Sequence, residues 1–138
     1  MNVDAIKNGI VIDHIQAGKG MEIYRFLNLE AYGCPVALMM NVTSRQMGNK
    51  DIIKIDGEIG VDLNMLGYID PGVTIDVIEN ETCVRKYRPE LPEQIRDVVR
   101  CKNPRCISTV EQELPQIFRL VDKRNKLYRC IYCDGKLD

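Results

Sequence analysis

The spacing of apolar positions changes several times along the chain, and each change marks an element. Gly9-Ile-Val-Ile-Asp-His-Ile15 is rich in β-branched residues and reads as a strand. After the loop Gln16-Ala-Gly-Lys-Gly20 the period lengthens. Tyr24, Leu27 and Ala31 fall on one stripe with Ile23 and Phe26 beside it, which predicts a helix over Met21–Ala31. Gly33-Cys34-Pro35 ends that helix, because a proline cannot continue it. Val36–Val42 is an apolar run suited to an inner strand, Thr43–Asn49 reads as a polar loop, and Lys50–Asp56 is the next strand. A short helix fits Asp62–Ile69 after the breaks at Gly57 and Gly60, with Asp62 as its cap and Asp70-Pro71-Gly72 as its terminator. Val73–Glu79 and Thr82–Tyr87 are strands around Asn80-Glu81, a two-residue hairpin turn.

The order β-α-β-β-α-β plus one strand predicts a ferredoxin-like α+β domain, an antiparallel sheet with two helices on one face. Arg88-Pro-Glu-Leu-Pro92 then breaks regular structure twice and reads as a short, stiff connection. The expected division is therefore 1–92 and 93–138. In the second part Glu93–Arg100 leads into a cysteine pair. Ile117–Val121 and Lys126–Cys130 flank Asp122-Lys-Arg-Asn125 as a hairpin, which predicts a small β-rich, zinc-ribbon-like domain.

That second part carries the most specific chemistry. Cys101-Lys-Asn-Pro-Arg-Cys106 and Cys130-Ile-Tyr-Cys133 are two close thiol pairs separated by 23 residues. The spacing is that of a four-thiolate tetrahedral frame, and Zn²⁺, a borderline-soft ion content with four sulfurs, is the expected metal. A closed shell leaves no open position, so the expectation is one structural zinc per chain. Disulfides, an iron–sulfur centre and a thiol enzyme built on Cys130-Ile-Tyr-Cys133 are the other readings of the same cysteines. A segment this small is near the limit for burying its own core, so the metal is expected to hold it together.

Composition refines this picture. The chain has 138 residues, 45% hydrophobic and 28% charged, which is globular. Its net charge of −1 offers no general attraction to nucleic acid. The charge is uneven: residues 1–92 carry 9 Lys/Arg against 13 Asp/Glu, and residues 93–138 carry 10 against 7. A zinc-ribbon nucleic-acid-binding module is thus a rival for the C-terminal part, with Lys102, Arg105, Arg119, Lys123, Arg124 and Arg129 as its basic residues. Against it stand the acidic first part and the scarcity of aromatics beyond Tyr128 and Tyr132. The N-terminus has no apolar signal core and no run approaches a membrane span, so a cytoplasmic protein without membrane association is expected. Cys34 and Cys83 stand apart and read as buried small hydrophobes.

In the first domain Lys50, Ile52, Lys54 and Asp56 share a face by the period of two, and Lys86 adds a third ammonium from the last strand. Asp13 lies next to His14, the one histidine, and simple alternation points the two to opposite faces. Cations for phosphates and a carboxylate for ribose or an exocyclic amine make a nucleotide-shaped set, although alternating Lys and Asp equally describe an ordinary solvated strand. No Gly-rich phosphate loop and no Ser/His/Asp set is present, so no catalysis is expected.

Several segments together resemble the regulatory chain of bacterial and archaeal aspartate carbamoyltransferase. They are Val3-Asp-Ala-Ile-Lys7, Gly9-Ile-Val-Ile-Asp-His-Ile15, Met47-Gly-Asn-Lys-Asp-Ile-Ile-Lys-Ile55, Arg88-Pro-Glu-Leu-Pro92 and the two cysteine pairs. The resemblance implies a non-catalytic allosteric subunit of pyrimidine biosynthesis, with a nucleotide-binding N-terminal domain that forms a homodimer. A zinc domain grips the catalytic chain, in an assembly of two catalytic trimers and three regulatory dimers, and CTP, UTP and ATP are the effectors. It implies a nucleotide site of Asp13, His14, Lys54 and Lys86, with Ile6 and Val11 on the base side and Lys50 available for phosphate. It implies Cys101, Cys106, Cys130 and Cys133 as zinc ligands. Asp76 stands where the resemblance leads one to expect Asn, Glu81 and Cys83 replace larger or more apolar groups, and the chain ends five residues after Cys133, earlier than expected.

Overall fold

Eight strands, three short α-helices and two 3₁₀ turns make up the regular structure of the computed structural model, which describes residues 6–58 and 63–137. The predicted cap Asp62 and the break at Gly60 lie outside the described residues. The chain divides into two compact units, Met1–Glu90 and Leu91–Asp138.

In the first unit β1 (Gly9–Gln16), β2 (Val36–Ser44), β3 (Gly48–Ile55), β4 (Thr74–Glu79) and β5 (Thr82–Tyr87) form one antiparallel sheet in the order β2-β3-β1-β4-β5. The first four strands take the predicted split arrangement, and β5 extends it as an edge strand. Ile12, Ile15, Ile53, Ile55, Val73 and Ile75 from the sheet side pack with Ile23, Leu27, Leu29 and Leu66 from the helical segments in one buried core. Burying such side chains stabilises by about 1.5–3 kcal/mol each relative to leaving them exposed.

The first helix is shorter than its apolar stripe suggests. It spans α1 (Gly20–Phe26), Asn28 turns left-handed at φ 51°, and a 3₁₀ turn follows over Leu29–Tyr32. The second helical segment is a 3₁₀ turn at Leu63–Met65 running into α2 (Leu66–Ile69), which stops at Asp70 as expected. Gly67 is required there: a Cβ would clash with the Glu90 carbonyl oxygen, so α2 can lie directly against the chain leaving the sheet. The expected polar loop over 43–49 is mostly strand. β2 runs on to Ser44 and β3 starts at Gly48, leaving a three-residue turn that Gly48 serves with φ +79°. Asn80 and Glu81 form the predicted two-residue turn, with φ 50° and 66°.

Asp51 is the reason α1 begins where it does. This fully buried carboxylate accepts hydrogen bonds from the Gly18 and Gly20 amides through Oδ2 and from the Asn41 amide through Oδ1. It ties the loop before α1 and the middle of β2 to one point on β3. Asp70 does the same at smaller scale, accepting from the Gln16 and Gly72 amides.

The second unit is a three-stranded antiparallel sheet, β6 (Gln94–Arg96), β7 (Ile117–Asp122) and β8 (Leu127–Cys130), in that order. The sequence pattern gave no strand at β6 and no helix at α3 (Ile107–Val110), the single turn that follows Cys106. Ile95, Ile117, Phe118 and Tyr128 are buried beside Cys106 and Cys130, a core too small to carry a domain unaided.

Candidate metal centre and cation-bearing sheet face

Each knuckle of the cysteine frame is built by local hydrogen bonds. Asn103 organises the first: its carbonyl accepts from the Cys106 amide and the Thr109 hydroxyl, and its side chain accepts from the Arg105 amide. Gln116 links this knuckle to β7, its side chain accepting from the Cys101 amide and donating to the Ser108 carbonyl. In the second knuckle the Asp134 amide donates to the Cys130 carbonyl and the Gly135 amide reaches Cys133 Sγ at 3.4 Å.

The four sulfurs lie within 4.8 Å of one another, with Cys101–Cys133 and Cys106–Cys130 both at 3.7 Å. A tetrahedron with Zn–S bonds of about 2.3 Å has sulfur–sulfur edges of about 3.8 Å, whereas a disulfide would bring two sulfurs to about 2.05 Å. All six cysteines are free thiols, so the geometry is that of a metal cage and not of a disulfide pair. Burial pushes the Cys101 thiol up, to about 12, as its neighbouring sulfurs add to the effect. Burial also opposes ionisation of Cys106, but the Ser108 hydroxyl and amide, with Cys130 and Cys133, bring it down to about 7. Burial raises Cys130. A divalent cation would stabilise thiolate charge on the four sulfurs. The donor set and spacing fit one structural zinc per chain.

The aromatic residues that a nucleic-acid reading needs are committed elsewhere. Tyr128 is buried and donates to the Pro92 carbonyl, and Tyr132 donates to the Pro115 carbonyl. Arg119 pairs with Asp134 at 2.7 Å, and Arg129 donates to the Asp134 carbonyl, so part of the basic set is engaged within the module.

On the first unit, the sheet face turned away from the core carries the other candidate residues. The strand register aligns Ala37, Lys54, Val11, Asp76 and Lys86 in one row across β2, β3, β1, β4 and β5. Directly paired residues share a face, with neighbouring strands about 4.8 Å apart. Lys50 and Asp13 form an ion pair at 2.9 Å in which both side chains are mostly buried, at 16% and 22% exposed. Burial alone would raise the Asp13 carboxyl, but the Lys50 ammonium and the His14 amide bring it below the ordinary aspartate value. Ile6 is buried in the segment before β1, against Gly9, where a Cβ would stand 3.0 Å from the Ile6 side chain.

Two expectations need correction. Asp13 and His14 do not point to opposite faces. His14 has φ 57° in a β-bulge, so Ile12 and Ile15, three residues apart, both enter the core. The His14 ring lies 3.1 Å from the hydroxyl of Thr74, the partner of Asp13 in the ladder, which places both side chains on the outer face. Cys83 is not a buried hydrophobe but exposed, because β5 is an edge strand; Cys34 is half-buried against the core. A surface depression of about 420 Å³ at one end of the sheet is lined by Asn8, Glu58, Glu79 and Asn80 among others and by none of the lysines.

Fold and site together define a two-unit α+β protein, one unit an open sheet with a cation-bearing outer face and the other closed around four cysteines. The comparisons agree. Residues 1–90 match the model of the aspartate carbamoyltransferase regulatory chain, allosteric domain, and residues 93–138 match that of its metal binding domain. An aspartate carbamoyltransferase regulatory chain from Clostridium botulinum is 54% identical over 134 residues, covering 97% of this chain and 92% of the relative. That of Clostridium tetani is 50% identical over 135 residues, at 97% and 94% coverage, and that of Bifidobacterium longum 42% over 134 residues, at 97% and 96%.

The chain belongs to the family of aspartate carbamoyltransferase regulatory chains. It is a regulatory and not a catalytic chain, with an allosteric and a metal-binding domain, and the nucleic-acid alternative is not favoured. Among the described residues no helix is long and apolar enough to cross a membrane.

Proposed function

We propose that residues 1–92 bind CTP, UTP or ATP on the outer face of the sheet, and that residues 93–138, held by zinc, dock to the catalytic chain of aspartate carbamoyltransferase. The observation that carries the nucleotide reading is the row Lys54–Val11–Asp76–Lys86, which sets two ammonium groups on either side of apolar Val11 and the Asp76 carboxylate. Lys54 and Lys86 hold phosphate. Val11 offers apolar surface for the base, and Ile6, buried behind Gly9, backs that surface. Asp13 and His14, brought to the same side by the bulge, take ribose or base polar groups, and Lys50 orients Asp13. The chain acts in the cytoplasm as a homodimer, three such dimers joining two catalytic trimers.

A ligand shifts a two-state assembly only by its differential affinity for the two states, typically worth about 1–3 kcal/mol of coupling. The test is calorimetric titration of the zinc-loaded chain with CTP and with ATP. Lys54→Ala or Lys86→Ala is expected to weaken binding without loss of fold. Wild-type affinity in both variants would remove the assigned site.

A further inference from the structure

The three lysines on the outer face are not equivalent. Lys50 is consumed by Asp13. Lys54 has the apolar cross-strand neighbours Val11 and Ala37, and among the described residues no carboxylate lies within ion-pair distance of it. Lys86 stands opposite Asp76 in the ladder, its ammonium 3.8 Å from Asp76 Oδ1, with Lys86 64% exposed and Asp76 17% exposed. At 3.8 Å the contact is an ion pair without a hydrogen bond. Asp76 Oδ1 is buried and has no hydrogen-bond partner among the described residues. An ionised carboxylate only accepts, and leaving such an acceptor unmatched is costly, so Asp76 draws on the Lys86 ammonium.

A phosphate arriving at Lys86 competes with that demand. If the ammonium turns to the ligand, a mostly buried carboxylate is left without a counter-charge and with a new anion nearby. If it stays, the phosphate meets a neutralised pair. We propose that Asp76 is a built-in counter-anion that competes with ligand phosphate for Lys86 and so holds down the affinity of the sheet for nucleoside triphosphates. Asp76 is a positioning residue acting through Lys86. This inference rests on the nucleotide reading of the same face and deepens it.

The experiment is titration of the full-length, zinc-loaded chain with CTP and with cytidine, using wild type, Asp76→Asn, Lys86→Ala and the double variant. Asp76→Asn keeps the shape and removes the charge. It should tighten CTP about fivefold, the scale of a partly exposed ion pair. Cytidine affinity should not change, and the gain should shrink to less than about twofold when Lys86 is Ala, since interacting side chains are non-additive. Unchanged or weaker CTP binding in Asp76→Asn overturns the inference, as does an equal gain for cytidine or a gain that survives intact without Lys86. CTP binding that Lys86→Ala weakens but Asp76→Asn does not affect overturns the inference alone. No CTP binding by the wild type overturns the nucleotide reading and this inference with it.

Discussion

Lys50 Nζ sits 2.9 Å from Asp13 Oδ1 across two neighbouring strands, so a lysine that the sequence offers to phosphate is already neutralised within the sheet. Its work is to hold a mostly buried carboxylate beside the β1 bulge. Lys50→Ala leaves that carboxylate unmatched and is expected to cost about 1–3 kcal/mol in urea unfolding. Lys54→Ala, with no ion pair to break among the described residues, should cost far less. Equal losses would show that the pair is incidental.

The same pair sets an acid dependence. Because Lys50 and the His14 amide lower the folded-state value of Asp13, the stability it contributes is fully present above the ordinary aspartate value of 3.8 and is lost as pH falls through the lower folded value. An NMR titration of the Asp13 carboxyl should therefore show a midpoint below 3.8 in the wild type and a higher one in Lys50→Ala. A wild-type midpoint at or above 3.8 contradicts the assignment.

Removing zinc should unfold the second unit and spare the first. Structural zinc contributes about 10–16 kcal/mol in small peptides near neutral pH, more than the core around Phe118 and Tyr128 can replace. With mercurial reagent and chelator, hydrogen exchange should rise across β6–β8 while β1, β3 and β4 stay protected. Because the metal displaces protons from Cys101, Cys106, Cys130 and Cys133, its affinity should fall as pH falls. Retained protection across β6–β8 after metal release would exclude a structural role.

Asp51 offers a test of the fold itself. Asp51→Ala strands the amides of Gly18, Gly20 and Asn41 and should cost about 3 kcal/mol or more. The loss is readable as a lowered urea midpoint with an unchanged slope.

The five strands of the first unit (though not the ends of β2 and β3), the hairpin at Asn80-Glu81 and the two thiol pairs were legible in the sequence because each depends on neighbours a few residues away. The period of two, a turn pair and the spacing of thiols are local signals. The parts that were not legible depend on distant partners. Asp51 looks like any strand acid until its three amide donors, from two other segments, are in place. His14 changes face because of one left-handed residue that nothing in the apolar pattern announces. The stripe from Tyr24 to Ala31 continues past the true end of α1, since Asn28 breaks the helix but not the apolar spacing. Gln116 is a polar residue just ahead of β7, and only its contacts with Cys101 and Ser108 reveal that it supports the metal site.

The central claim is that nucleotide bound to the first unit controls a catalytic chain held by the second. The most direct measurement is aspartate carbamoyltransferase activity of the catalytic chain reconstituted with this zinc-loaded chain, with and without CTP and ATP. Nucleotide should change activity only when this chain is present, and the Lys54→Ala/Lys86→Ala double variant should abolish the response while the complex still co-purifies. A stable complex whose activity is indifferent to both nucleotides, or a response that persists in the double variant, would contradict the account.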